Sequence, residues 1–119
     1  MANIVIISGN LVRNPETKQV GGKKVVSFSV ANEVYYRDKN SEKKSFTSFV
    51  DCEAWGQRGS VVENYCQKGK HVLIEGNLRQ SRWETQDGQK RSKHIIVVDK
   101  VELGPKSDYK DNNQGEPDI

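Results

Sequence analysis

The chain has 119 residues, of which 34% are hydrophobic and 29% are charged, and its formal net charge is +3. A chain of this length holds one domain with one modest core. Its composition excludes a disordered chain, and none of its apolar runs approaches the roughly 20 residues that a membrane-spanning helix requires.

Five segments have the residue pattern of extended strands: 3–12, 25–36, 46–55, 70–83 and 93–103. In the second segment apolar and polar residues alternate, so one face carries Val26, Phe28, Val30 and Val34. The phrase GNL occurs twice, at 9–11 and 76–78. A glycine inside a strand often marks a bend or bulge, which we expect at Gly76 in particular.

One helix is predicted over residues 57–69, where an apolar stripe is formed by Val61, Val62, Tyr65 and Cys66. Ser60 and Glu63 have the spacing of a capping box, and Gly69 is a natural end for the helix. The polar, basic stretches 14–24, 37–45 and 85–92 are predicted loops. Three strands, a helix and two strands follow the order of a five-stranded OB barrel, although another all-β barrel would show a similar order.

The third predicted strand has two unlike faces. Alternation places Val50, Cys52 and Ala54 on one face, which suits a core. The other face carries Phe49, Asp51, Glu53 and Trp55. The two carboxylates indicate that this second face is solvated, so its two aromatic rings are unusual. Two interpretations stay open: the rings stack on a flat partner, or they pack under a loop or against another subunit.

Other aromatic residues also have polar, basic surroundings. Trp83 ends the fourth strand on the same face as Arg79, and Tyr35 and Tyr36 end the second strand just before Arg37. Single-stranded nucleic acid needs such a combination, because each base can stack on a ring for about 1–3 kcal/mol while cations follow the phosphates. A duplex hides its base faces, so this pattern favours a single strand.

Five phrases in register resemble the bacterial single-stranded DNA-binding proteins: SGNLVRNPE, FSVANEVYYRD, FVDCEAWG, KGKHVLIEGNLRQSRW and DGQKR. The likeness covers residues 3–104. It implies an all-β, five-stranded OB-fold barrel with one short helix between strands 3 and 4. It also implies a homotetramer that wraps single-stranded DNA and protects it, without sequence specificity, in replication, recombination and repair.

The resemblance also implies which residues bind. The family's stacking aromatics match Tyr36, Phe49, Trp55 and Trp83, and Lys68 matches a position that is often basic. Arg37, Lys39, Arg79 and Arg82 lie close in sequence to these aromatics, so with Lys68 they are the expected phosphate contacts. Strand alternation alone favours Tyr35 over Tyr36 for the solvated face. The motif match selects Tyr36, which requires the bent strand to shift its alternation.

The chain divides into an OB domain, residues 1–104, and a flexible acidic tail, residues 105–119. The first part carries 17 Lys and Arg against 12 Asp and Glu, and the tail carries 2 against 4. The family typically ends in an acidic tip that closes with Pro-Phe and recruits replication and repair proteins. Here the tip ends Pro117-Asp118-Ile119 without phenylalanine. We therefore expect weak recruitment, whether the tail is naturally short or shortened.

The remaining features favour a non-catalytic, cytoplasmic protein without a cofactor, and the resemblance implies association with the bacterial nucleoid. No basic segment precedes the first apolar residues, so no signal peptide is expected. Cys52 and Cys66 form no CxxC pair and are predicted to be buried free thiols, and neither His71 nor His94 has a metal-site spacing. The stretch GGKK lacks the pattern of a P-loop. Two alternatives stay open: a primosomal or RNA-binding OB module, and an interaction domain whose aromatics form a subunit interface.

Overall fold

The computed structural model describes residues 1–105, so all but the first residue of the predicted tail lies outside the described part of the chain. The elements in chain order are β1 (Val5–Leu11), β2 (Glu16–Val20), β3 (Lys23–Arg37), β4 (Lys43–Trp55), α1 (Gln57–Tyr65), β5 (His71–Glu84) and β6 (Lys90–Leu103).

Five of the strands close into a barrel. They are hydrogen-bonded in the order β1-β5-β6-β4-β3, and β1 pairs again with β3 to complete the circuit. All these pairs are antiparallel except β4 with β6, where Cys52 lies opposite Ile96. The helix connects the third and fourth strands of the barrel. The predicted OB-fold barrel, with one helix between its third and fourth strands, is therefore confirmed.

Strand β2 was not predicted, because residues 14–24 were expected to form a loop. It pairs with the first residues of β3 across a tight turn at Gly21 and Gly22, whose φ angles of 57° and 79° favour glycine. All five β2 residues are exposed. A strand that buries neither face has no alternation of apolar and polar residues, so its sequence carries no strand signal.

The core lies inside the barrel and is closed at one end by the helix. Its most completely buried side chains are Phe28, Ile74, Ile96, Val26, Val30, Val62, Val72 and Cys52. The predicted alternation along β3 is confirmed, and Val26, Phe28 and Val30 point into the barrel. Val34 lies on the same side of the strand but is 52% exposed, because it lies beyond the barrel opposite Phe46. The two cysteines are buried and free, as predicted.

Two hairpin arms extend from the barrel. In the β3–β4 arm (residues 32–48) and the β5–β6 arm (residues 79–94), each strand pairs only with its hairpin partner among the described residues. Parts of the predicted loops 37–45 and 85–92 are strand, so both arms are longer than the sequence indicated. Their turns are held by Asp38, whose Oδ1 accepts the N–H groups of Asn40 and Glu42, and by a Thr85–Asp87 hydrogen bond.

The helix is shorter than predicted. It ends at Tyr65 rather than at Gly69, and it begins after Gly56 without a side-chain cap, so the predicted capping box is wrong. Glu63 instead accepts hydrogen bonds from Lys24 Nζ and Thr17 Oγ1, both at 2.8 Å. These bonds join the β2–β3 hairpin to the helix and lower the pKa of Glu63. Of the predicted stripe, Tyr65 is 65% exposed.

The glycines of the two GNL phrases lie where strands approach closely. The β5–β6 register shifts at Gly76, which confirms the expected bulge. A Cβ atom at Gly76 would collide with the carbonyl oxygen of Val97, and one at Gly9 with that of Ala31. Both positions therefore exclude any larger side chain.

Candidate nucleic-acid interface

The outer face of β4 is the aromatic face that the sequence predicted. Its register with β3 is unbroken, so residues of one parity point into the barrel and those of the other point outward. Phe49 on the outer side is 72% exposed, and Trp55 is half-buried. These two rings are six residues apart, or about 20 Å along the strand. Asp51 and Glu53 lie between them.

Trp83 lies on the outer side of the β5–β6 arm. It is 46% exposed and lies opposite Arg91 on β6. Val97 of β6 pairs with Glu53 of β4 and with Asn77 of β5, so these three residues share one side of the sheet. Alternation along β4 and β5 then places Phe49, Trp55 and Trp83 on this same outer side.

The two tyrosines of the β3–β4 arm lie on opposite faces. The register runs without a shift from Val25 opposite Trp55 to Arg37 opposite Lys43. The expected change of alternation is therefore wrong, and Tyr35, not Tyr36, shares the outer face with Phe49. Tyr36 lies on the reverse face, opposite Lys44.

The surroundings of the two tyrosines also differ. The hydroxyl of Tyr35 donates to Glu33 Oε1 at 3.0 Å, which raises the pKa of Tyr35, and Lys43 Nζ lies 5.6 Å from the centre of its ring. The Tyr35 ring is therefore already engaged within the arm. Tyr36 is 50% exposed and takes part in no side-chain hydrogen bond within residues 1–105.

The five predicted phosphate-binding cations fall into four places. Arg79 lies on the outer face, and Arg82 lines a depression beside Trp83. Arg37 and Lys39 lie at the tip of the β3–β4 arm, where Arg37 Nη1 donates to the carbonyl oxygen of Ser41. Lys68 lies apart from the aromatic face, because its backbone N–H donates to Asn14 Oδ1 in the loop after β1.

Sequence reasoning missed several cations near the rings. Lys90 and Arg91 line the depression beside Trp83, and Lys93 Nζ lies 3.7 Å from Asp51 Oδ2. These residues belong to a stretch expected to be mostly loop. Extending the alternation of β6 backward from Ile95 would have placed Arg91 and Lys93 on the outer side.

A groove of about 470 Å³ runs along the outer side between β4 and β5. Ile95 and Val97 of β6 form its apolar floor. Its walls and one end are lined by Glu53, Trp55, Arg58, Asn77 and Arg79. Arg58 Nε donates to the carbonyl oxygen of Asp99 at 2.8 Å, and Arg79 Nε donates to Asn77 Oδ1 at 3.0 Å. We call this the central groove.

Asp51 is the most constrained carboxylate of the outer face. It accepts a hydrogen bond from Ser29 Oγ at 2.5 Å and lies near Lys93. Its neighbour Cys52 points inward, where burial and the charge of Asp51 raise the pKa of the thiol to about 12. The outer face thus carries charges of both signs, while the adjacent inward residue is held as an unreactive thiol.

The described residues offer a surface for stacking and for anions. Among residues 1–105, no three His, Cys, Asp or Glu side chains are grouped in a way that could hold a metal ion. No helix in the same part of the chain is long and apolar enough to cross a bilayer. The outer face combines exposed rings with arginine and lysine side chains over a distance that several nucleotides could cover.

Comparison with known sequences agrees with this chemistry. The model of the single-strand binding protein family matches residues 2–104. The single-stranded DNA-binding protein of Treponema pallidum is 42% identical over 103 residues, which are 85% of this chain and 57% of that protein. That of Fusobacterium nucleatum is 30% identical over 86% of this chain and 66% of its own length. The chain thus spans somewhat less than two thirds of these relatives.

Solved structures show the same architecture. The SSB of Plasmodium falciparum in complex with ssDNA superposes with a TM-score of 0.79 at 25% identity, over 88% of this chain and 96% of that one. A deletion mutant of the single-stranded DNA binding protein from Thermus aquaticus has a TM-score of 0.77 over 90% of this chain and 52% of its own. At 17% identity, the second likeness concerns the fold alone.

Proposed function

The chain belongs to the single-strand binding protein family, and we propose that it binds single-stranded DNA without reading a defined sequence. The family consists of DNA-binding proteins rather than enzymes. In this proposal bases stack on the rings of Tyr36, Phe49, Trp55 and Trp83. The OB domain, residues 1–104, is the binding unit.

The observation that carries the proposal is the exposure of large rings on a solvated sheet face. Phe49 is 72% and Trp83 46% exposed, although the inward residues of the same strands supply the core. Exposed aromatic residues at a polar, charged surface favour a partner that is both flat and charged. Stacking contributes about 1–3 kcal/mol per base and is tolerant of sequence.

We further propose that phosphates are bound by Arg37, Lys39, Lys68, Arg79 and Arg82. Arg79 and Arg82 are supported by their positions near Trp55 and Trp83. Arg37 and Lys39 are supported by their proximity to Tyr36 at the tip of the β3–β4 arm. Lys90 and Arg91 join this set through the depression beside Trp83. Lys68 requires the DNA to continue past the loop after β1, which suits a strand that wraps around the domain.

The same proposal includes self-association as a homotetramer. An apolar row lies on the outer side of the β1–β5 pair, where Ile4, Ile6 and Leu73 are 74%, 63% and 37% exposed. A second copy of the chain is the partner we propose for this row. Light scattering should give the mass of four chains, and Ile6→Lys should reduce it.

We propose that the protein protects single-stranded DNA in replication, recombination and repair in the bacterial cytoplasm. Support comes from the bacterial relatives, which carry the name single-stranded DNA-binding protein. Any recruitment of replication and repair proteins would involve the tail, which lies outside the described residues.

The deciding experiment is tryptophan fluorescence during titration with oligo(dT) and with a duplex, each at two salt concentrations. Quenching by the single strand, little change with the duplex, and weaker binding at high salt are the expected results. The chain has two tryptophans, Trp55 and Trp83, so the signal reports on the proposed surface directly. Unchanged fluorescence with oligo(dT) at low salt would favour an interaction domain instead.

A further inference from the structure

The central groove has a width and a lining that can admit a base. It crosses β6 between β4 and β5, so its walls are two strand spacings apart, or about 10 Å. The half-buried ring of Trp55 lines one wall and the apolar side chains of Ile95 and Val97 form the floor. A flat heterocycle between such surfaces leaves its polar edge to be met by side chains of the groove.

Glu53 lines the groove on the β4 wall. Its two cross-strand neighbours are Ser27 on β3 and Val97 on β6. The side chain is half-buried. None of the ion pairs or side-chain hydrogen bonds within residues 1–105 includes Glu53, although Arg58 and Arg79 line the same groove. Its carboxylate oxygens therefore remain available as acceptors.

The charges around the groove decide which part of a nucleotide can enter it. Glu53 and Asp99 both line the groove and repel a phosphate. The guanidinium groups of Arg58 and Arg79 are held by their Nε atoms and can bind phosphates on the two sides. This arrangement favours a base inside the groove and backbone at its rims.

We propose that Glu53 gives this groove a preference for bases that carry an exocyclic amino group, such as cytosine, over bases that present a carbonyl there. This inference rests on the proposed single-stranded DNA binding. A carboxylate accepts a hydrogen bond from the N4 amino group of cytosine. Uracil has a carbonyl oxygen at that position, and two acceptors facing each other leave the carboxylate unsatisfied.

The experiment compares oligo(dC) with oligo(dU) of equal length at neutral pH and one salt concentration. The two polymers have the same backbone, so the contribution of phosphates cancels in the ratio of their affinities. We expect oligo(dC) to bind about tenfold more tightly, the lower end of what one hydrogen bond to a charged group provides. In Glu53→Gln the ratio should fall to about one, because an amide donates as well as accepts.

Glu102→Gln is the matched control. It makes the same change at an exposed carboxylate near the end of β6, and the wild-type ratio should be retained. Equal affinities of the wild type for both oligomers overturn the inference even if Glu53→Gln fails to fold. A preference that persists in folded Glu53→Gln overturns it as well. Failure of the wild type to bind either oligomer would instead reject the proposed function.

Discussion

The two faces of β4 contrast sharply although their residues alternate along one strand. The inward face carries small side chains, and Cys52 and Ala54 are 2% and 0% exposed. Between residues 49 and 55 the outward face carries the two largest apolar side chains, Phe49 and Trp55, and Phe49 is 72% exposed. The usual expectation that large apolar residues lie inside is reversed here. Periodicity, together with the carboxylates of the outer face, identifies the inside of this strand better than side-chain size does.

The two faces should differ in what a mutation changes. Inward residues fill a closed barrel, so their loss reduces the free energy of unfolding. Of the outward rings, Phe49 is exposed and Trp55 is half-buried, so their loss should reduce DNA affinity more than it reduces the free energy of unfolding.

The largest expected effect is on the inner face. Phe28 lies opposite Cys52 and is among the most completely buried side chains. Phe28→Ala should lower the free energy of unfolding by about 3–5 kcal/mol, because it removes buried apolar surface and leaves a cavity. Urea denaturation followed by circular dichroism measures this change. A loss below about 1 kcal/mol would contradict the assignment of Phe28 to the core.

On the outer face, Trp55→Ala should weaken binding of oligo(dT) by about 1–3 kcal/mol, because one stacking surface is removed. Fluorescence anisotropy of a labelled oligonucleotide measures the affinity. Tyr65→Ala is the control, since Tyr65 is an exposed aromatic residue on the helix, away from the outer face. Equal losses in the two variants would show that exposure alone, and not position, sets the effect.

Tyr35 and Tyr36 allow the two faces of the β3–β4 arm to be compared. Tyr36→Ala should weaken oligo(dT) binding more than Tyr35→Ala, because the Tyr35 ring is engaged by Glu33 and Lys43. We expect a difference of about 1 kcal/mol, at the low end of a stacking contribution. The same anisotropy assay applies. A larger loss of affinity in Tyr35→Ala than in Tyr36→Ala would mean that DNA stays on the outer face and does not reach the far side of the arm.

Removing a positive charge from the outer face should reduce the salt dependence of DNA binding. Arg79→Ala should reduce the slope of log affinity against log salt by about 0.7, the value for one phosphate contact on a single strand. Lys18→Ala, on the exposed strand β2, is the control and should leave the slope unchanged. Titrations at four salt concentrations measure both slopes. An unchanged slope in Arg79→Ala would remove Arg79 from the phosphate-binding set.

The smallest expected effect concerns Glu63, which lies on the helix and on neither face of β4. Its pKa is lowered in the folded protein by hydrogen bonds from Lys24 and Thr17. A lowered pKa stabilises the fold above the pKa of the unfolded chain, and this contribution is lost as the pH falls through the folded value. The Glu63→Gln variant should therefore have a slightly lower melting temperature than the wild type at neutral pH. This difference in melting temperature should vanish in acid.

Melting curves of the Glu63→Gln variant and the wild type, recorded from neutral pH into acid, measure the difference in melting temperature. The two proteins should have the same affinity for oligo(dT). A melting difference that grows in acid would contradict the sign of the shift.

Several features were missed for identifiable physical reasons. Strand β2 buries nothing, so it has no sequence periodicity. The outer ends of the arms are solvated on both faces, and polar strand residues there resembled loops. The helix begins without a capping side chain because its N-cap residue is Gly56, and Glu63 lies inside the helix, where it binds the β2–β3 hairpin. In each case local sequence lacked the signal because burial or pairing at a distance decided the structure.

The sequence alone determined the alternation of the barrel strands, the small inner face of β4, the aromatic character of its outer face and the excess of cations nearby. These are local properties, since successive side chains of a strand must point to opposite sides. Only the tertiary structure decided which residues of different strands meet. Pairing of β6 with both β4 and β5 places Glu53, Trp55, Asn77 and Arg79 around one groove, and an unbroken register places Tyr36 behind the arm. Such contacts depend on registers between segments far apart in the chain, which local pattern does not specify.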